Sequence, residues 1–233
     1  MNYFKVAILA GAFAMSFPMQ TDARRLHDPQ LETRSELRYN TGLTAEEVNI
    51  VAPEGDFYMP ETISISDDAI LGAPVATQKQ CVKYLMAHNP NPNLAVSAEE
   101  IVAYYYEEAG REGVRADVAF AQALKETGFF RYGGDVVPEQ NNYCGLGTTG
   151  GGVRGLYFAS PQIGVRAHIQ HLLAYSSTRR PTTEIVDPRY ELVRSRYGNN
   201  ILSKWYDLNG RWAVPGYNYG QDILSMVRDI LLY

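Results

Sequence analysis

The stretch "GVRADVAFAQALKETGFFRYGG", Gly113 to Gly134, decides the fold. From about Asp117 it runs in helical period, with Val118, Phe120, Ala121, Ala123 and Leu124 nearly encircling the axis. A helix apolar most of the way round belongs at the centre of a domain. Gly128 is a natural left-handed stop, so the helix is expected to end at about Thr127 and to leave Glu126 on its last turn. That is the wrong end for an anion, because a helix C-terminus carries partial negative charge worth about 0.3–1 kcal/mol. Phe129 and Phe130 beside it add expected desolvation, and both effects push a carboxyl towards its protonated form. A protonated carboxyl beside a cleft is a general acid.

Outward from this helix the chain organises itself by caps and breaks. "TQKQCVKYLMAHN" from Thr77 is helical in period, and "NPNPN" ends it. Ser97 with Glu100 three residues on forms a capping box that opens a helix through Ile101, Tyr104, Tyr105 and Glu108. After the central helix, residues 129–160 are rich in Gly, Asn and Pro, with room for a short hairpin. Ser160 and Pro161 start another helix, with Val165, Ile169 and Leu172 as its buried stripe. Residues 177–218 read as loops and short helices rich in aromatics, and "YGQDILSMVRDILLY" closes the chain as an amphipathic helix. The expected fold class is mainly α, an α+β arrangement with a small irregular or β lobe inserted after the central helix.

Composition bounds the function. The 233 residues are 45% hydrophobic and carry a formal charge of −5. Residues 1–78 hold five Lys/Arg against eleven Asp/Glu, whereas residues 79–233 hold sixteen against fifteen. A neutral domain lacks the basic footprint that nucleic-acid binding needs, so no nucleic-acid partner is expected. Lys5 precedes the apolar run Val6 to Phe17, too short to span a bilayer, and small Ala23 follows; residues 1–23 read as an export signal. Residues 24–76 read as a linker or disordered arm, in which "ETISISDDAI" alternates like a single strand. Residues 77–233 form the expected folded domain, monomeric, acting outside the cytoplasm in the cell wall or periplasm, with no stable membrane insertion after signal removal. Cys81 and Cys144 permit one disulfide in an export context, and buried free thiols are the competing reading.

Four ordered blocks carry a family resemblance: "AFAQALKETGFFRYGGDVVPEQNNYCGLGTTGGG", "IGVRAHIQHLLAY", "DPRYELV" and "LNGRWAVPGYNYGQDIL". Together they resemble the glucosaminidase domain of bacterial cell-wall hydrolases, which is related to family 73 of the glycoside hydrolases and to the lysozyme-like superfamily. The resemblance covers about Gln78 to the C-terminus. It implies a lysozyme-like fold with a cleft, peptidoglycan glycan strands as partner, an endo-beta-N-acetylglucosaminidase activity, and Glu126 as the catalytic acid. Tyr219 matches a tyrosine that recurs in the family beside the cleft.

Other candidates have physical readings of their own. Gln140, Asn141 and Asn142 offer neutral amides suited to sugar hydroxyls and N-acetyl groups, or else cap a turn. Tyr143, Trp212, Tyr217 and Tyr219 are candidate stacking faces. Arg131, Arg154 and Arg166 could face muramyl-peptide carboxylates. His168, at the edge of a buried helical face, reads as a hydrogen-bonded structural histidine. His168 and His171 have a spacing zinc can use, yet no third ligand accompanies them, so no metal is expected. Gly145, Gly147 and Gly150 fit Gly-x-Gly-x-x-Gly, but "GGVRG" follows where a dinucleotide fold needs a helix, so no cofactor is expected either.

A glycosidase commonly uses a second carboxylate, and relatives carry a second glutamate after the Asn-rich block. Tyr143 to Arg180 contains no Asp or Glu. Asp135 and Glu139 are the nearest alternatives; otherwise Glu126 acts with help from the substrate's N-acetyl group or, in a transglycosylase-like reaction, from the muramyl hydroxyl. A Cys144/His168 peptidase and a catalytically silent wall-binding module are the readings from other classes.

Overall fold

The computed structural model describes residues 68–214 and 216–233; the expected signal and most of the expected arm lie outside them. Six α-helices dominate the described residues: α1 Gln78–His88, α2 Ala98–Glu112, α3 Ala116–Thr127, α4 Pro161–Ser176, α5 Tyr190–Tyr197 and α6 Tyr219–Ile230. Helix α3 packs between α1, α2 and α6, while α2 also packs on α1 and α4, so a mainly helical, lysozyme-like body surrounds α3.

Local chemistry places the helix ends. Ser97 and Glu100 close the capping box on α2, and Thr77 with Gln80 closes another on α1. Ser160 caps α4, with Pro161 in its first turn. Every residue of α3 from Ala116 to Leu124 is buried. Its N-terminus has no side-chain cap from Arg115. Instead the buried Asp117 carboxylate accepts from Val118 N at 3.0 Å, Val75 N at 2.9 Å, Ala76 N at 3.2 Å and Arg115 at 3.1 Å. An anion at this end complements the helix dipole.

Those bonds also hold the chain just before residue 77. Residues 68–76 belong to the folded body: Ile70 is fully buried, its N donates to Ser203 O, and its O accepts from Arg115 N. One alternating segment could not reveal this, because its pairing partners lie far along the chain.

Beyond α3 the backbone turns left-handed for three successive residues, Gly128, Phe129 and Phe130, with φ of 59°, 57° and 56°. Each non-glycine residue there costs about 1–2 kcal/mol. Several bonds offset that cost: Phe129 N to Leu124 O at 2.7 Å, Phe130 N to Thr127 Oγ1 at 3.0 Å, and Asn89 Nδ2 to Phe129 O at 2.7 Å. The connection between α1 and α2 thus grips the turn, and Asn93 N adds a bond to Phe130 O at 3.0 Å.

The lobe that follows is irregular. It contains a 3-10 turn at Pro138–Gln140 and, in place of a hairpin ladder, the single bridge Gly150 to Val153. Cys144, Leu146 and Phe158 form a small core with Ala167 of α4. Both Cys81 and Cys144 are buried free thiols.

Candidate active site

Glu126 sits half-buried on the last turn of α3, where the lobe meets the helical body. Tyr219, the first residue of α6, donates its hydroxyl to Glu126 Oε1. The indole N–H of Trp212 also favours the charged form of the carboxyl. On the other side lies Gly145 with φ +68°: a Cβ there would stand 3.9 Å from Glu126 Oε2 and 3.4 Å from Thr148 Oγ1. Gly145 is thus the lobe residue that meets Oε2.

Burial dominates the electrostatics and raises the Glu126 carboxyl above its ordinary value. The Tyr219 hydrogen bond, the Lys125 charge and the Trp212 indole pull the other way. Lys125 Nζ is itself engaged by Asp222 Oδ2 at 2.9 Å. Burial and then the Glu126 charge push both the Tyr219 phenol and the Cys144 thiol well above their ordinary values. The raised carboxyl and the neighbouring Tyr219 agree with expectation, whereas the two phenylalanines pair with other rings. Phe129 stacks on His88 at 4.8 Å, and Phe130 meets Tyr143 edge-on at 5.8 Å. The groups placed on the carboxyl are Tyr219, Trp212 and the Gly145 backbone.

Several expected site residues serve the lobe itself. Gln140 is fully buried; its Oε1 accepts from Val137 N at 2.7 Å and its Nε2 donates to Arg154 O and, at 3.2 Å, to Leu156 O. Asn142 donates to Leu146 O at 2.9 Å and Leu156 O at 3.2 Å while accepting from Leu146 N at 2.9 Å. These amides act as backbone staples, in keeping with the turn-capping alternative of their two readings. Asn141 is half-buried and donates to Phe158 O at 3.0 Å. Tyr143 is buried at the core edge and Tyr219 is bonded to Glu126, whereas Trp212 is half-buried and Tyr217 is exposed.

The remaining carboxylates of the lobe stand apart from these contacts. Asp135 Oδ1 accepts from Gly152 N at 2.9 Å, and Glu139 is exposed on the 3-10 turn. Arg166 does not face substrate: it forks onto buried Glu108 of α2 at 2.9 and 3.0 Å. Arg131 donates to His88 O, and Arg154 is exposed.

His168 is hydrogen-bonded and buried, as expected, with Nδ1 on the Tyr105 hydroxyl at 2.9 Å and Nε2 on Gln122 Oε1 at 2.8 Å. Both ring nitrogens are thereby occupied, so neither is available to take a proton from Cys144. His171 Nδ1 bonds Asp187 Oδ2 at 2.8 Å. Sequence reasoning missed Gln122 altogether. The available sign was a lone amide one turn before Glu126 on a helix otherwise apolar nearly all round.

A helical body with a raised glutamate at the seam of a small lobe defines a lysozyme-like protein. Residues 102–232 match the glucosaminidase family, described as mannosyl-glycoprotein endo-beta-N-acetylglucosaminidase, and the chain belongs to that family. It is also 38% identical over 152 residues to an uncharacterised protein of Borreliella burgdorferi, covering 65% of this chain and 72% of that protein. No solved structure gives a significant match. Membership supports a glycosidase activity of the peptidoglycan-hydrolase type, with peptidoglycan as substrate and action outside the cytoplasm. Among the described residues no helix is long and apolar enough to cross a membrane.

Proposed function

We propose that the protein is an exported endo-beta-N-acetylglucosaminidase that cuts β-1,4 bonds in peptidoglycan glycan strands, with Glu126 as general acid. The observation that supports this best is the Glu126 carboxyl, raised by burial, held at Oε1 by Tyr219 and facing Gly145 of the lobe at Oε2. A carboxyl so held donates its proton to the glycosidic oxygen as the C1–O bond breaks, and the departing sugar leaves as a neutral alcohol.

The electron-poor C1 then needs a partner. The residues acting on Glu126 are Tyr219, Lys125 and Trp212, with no second carboxylate among them, which favours the substrate's own N-acetyl oxygen as the group that closes on C1 before water opens the ring. Asp135 and Glu139 are the lobe carboxylates that could act in its place, and Trp212 is the half-buried aromatic beside the acid that could meet a sugar face.

Mass spectrometry of digested cell walls tests the reading. New reducing N-acetylglucosamine ends are expected, falling about 10²–10⁴-fold in Glu126→Gln; an unaffected variant refutes it. Asp135→Asn and Glu139→Gln, assayed in parallel, show whether either carboxylate takes part. Anhydro-muramyl ends would assign a transglycosylase, in which the muramyl hydroxyl attacks C1. Peptide release lost in Cys144→Ala would assign a peptidase, against which both the raised thiol and the occupied His168 nitrogens argue.

A further inference from the structure

Four helices send one buried polar side chain each towards Glu126, and the four form a continuous line. Tyr105 comes from α2, His168 from α4, Gln122 from α3 and Tyr219 from α6. The links are Tyr105 hydroxyl to His168 Nδ1 at 2.9 Å, His168 Nε2 to Gln122 Oε1 at 2.8 Å, Gln122 Nε2 to Tyr219 Oη at 2.7 Å, and Tyr219 to Glu126 Oε1. His168 and Gln122 are fully buried, and Tyr105 and Tyr219 are buried with them.

Donor counting gives the line a direction. The Gln122 nitrogen donates to Tyr219, so its oxygen faces His168 and requires a proton on His168 Nε2. A neutral imidazole protonated at Nε2 has a bare Nδ1, which must accept from the Tyr105 hydroxyl. Burial first, and His171 second, push His168 down to about 3, which keeps the ring neutral. Tyr219 Oη already accepts from Gln122, so its single proton goes to Glu126. Each O–H and N–H along the line therefore points the same way.

We infer that Tyr105, His168 and Gln122 are positioning residues that aim the Tyr219 proton at Glu126 Oε1 and so confine the transferable proton of the acid to Oε2. The inference rests on the reading of Glu126 as general acid. An oxygen that accepts a hydroxyl proton serves as the carbonyl oxygen of a protonated carboxyl, and the other oxygen carries the hydrogen. Oε2 is the oxygen that faces Gly145 of the lobe. Without the line, the Tyr219 hydroxyl could turn and accept the acid's proton, withdrawing it from the lobe side.

Other groups that bear on Glu126 are Lys125 with its partner Asp222, Trp212 and the neutral Cys144 thiol. His168 faces Tyr105, Gln122, Trp212 and, electrostatically, His171. Of these, only Tyr105 and Gln122 are changed in the variants below.

The test needs no substrate. In the wild-type protein, nitrogen-15 NMR is expected to show His168 as the Nε2–H tautomer, unprotonated down to about pH 3. The carbon-13 signal of the Glu126 carboxyl, followed against pH, is expected to move its midpoint upward by about one unit in Tyr219→Phe, which loses a hydrogen bond to a charged group. Gln122→Met leaves the tyrosine in place but unaimed, and about half that shift is expected. Tyr105→Phe removes only a hydroxyl and is expected to give His168 a mixed tautomer population. A merely structural role moves neither titration nor tautomer. An Nδ1–H tautomer in the wild type, or a Glu126 midpoint unmoved in a folded Gln122→Met, overturns the proposal. A protein that shows these shifts but leaves peptidoglycan uncut keeps the line and loses the glycosidase reading; an active protein with an Nδ1–H His168 does the reverse.

Discussion

On the helical side of Glu126, positions are set by side chains reaching between helices over long sequence separations, as in the pairs Gln122 with Tyr219 and Tyr105 with His168. On the lobe side, positions are set by backbone, with Gln140 and Asn142 stapling loops and Gly145 giving way to the carboxyl. The helical body can lose a methyl group and repack, whereas the lobe has no regular hydrogen-bond ladder to fall back on. Glu126 depends on both, since each of its oxygens belongs to a different side.

The sharpest way to break the division is at its seam. Gly164 of α4 lies so close to the lobe that a Cβ would stand 1.8 Å from Asn141 O. Gly164→Ala must therefore move the backbone leading to Tyr143 and Gly145, and a stability loss of about 3 kcal/mol is expected in denaturant titration. Wall digestion should collapse with it, because Gly145 leaves Oε2; a variant as stable and active as wild type would show that lobe and body are not held in register there. Next in size is Asn142→Ala, which strands Leu146 N and is expected to cost about 2 kcal/mol. Hydrogen exchange should quicken at Leu146 and Leu156 while the α3 amides keep their protection. Equal loss in both regions would erase the distinction.

The smallest effect is read per pH unit. His168 binds its proton only near pH 3 in the fold but near 6.5 when unfolded, so the unfolded state holds more protons between those values. Stability should fall as pH drops through that window, with a slope of up to about 1.4 kcal/mol per unit from this group. Glu126 acts oppositely. Its folded value is raised above 4.5, so wild-type stability declines as pH rises from there, and Glu126→Gln should gain on wild type over the same rise. Urea melts across a pH series check both signs.

The helical body was largely legible because its ends are written locally. Gly128, the Ser97–Glu100 box and Ser160–Pro161 each decide a boundary within four residues. Glu126 was legible for the same reason, as a charge at the wrong end of a buried helix. The line behind it was not, since its links join residues 46, 63 and 97 positions apart and nothing local marks an amide as a relay. The lobe amides were ambiguous because a side chain that could meet a sugar can equally satisfy a loop, and the three residues look alike until the burial of Gln140 and Asn142 is known.

Asp117 has a consequence for how the incoming chain is held. The incoming chain docks at the N-terminal end of α3, through Val75 and Ala76 on that carboxylate, while Glu126 stands at the C-terminal end. The nine-residue separation places about 14 Å of helix between them. A pull on the chain from its N-terminal side would load the bonds of Ile70 to Ser203 and Arg115, and then the Asp117 clasp, before it reached the acid at the other end of α3.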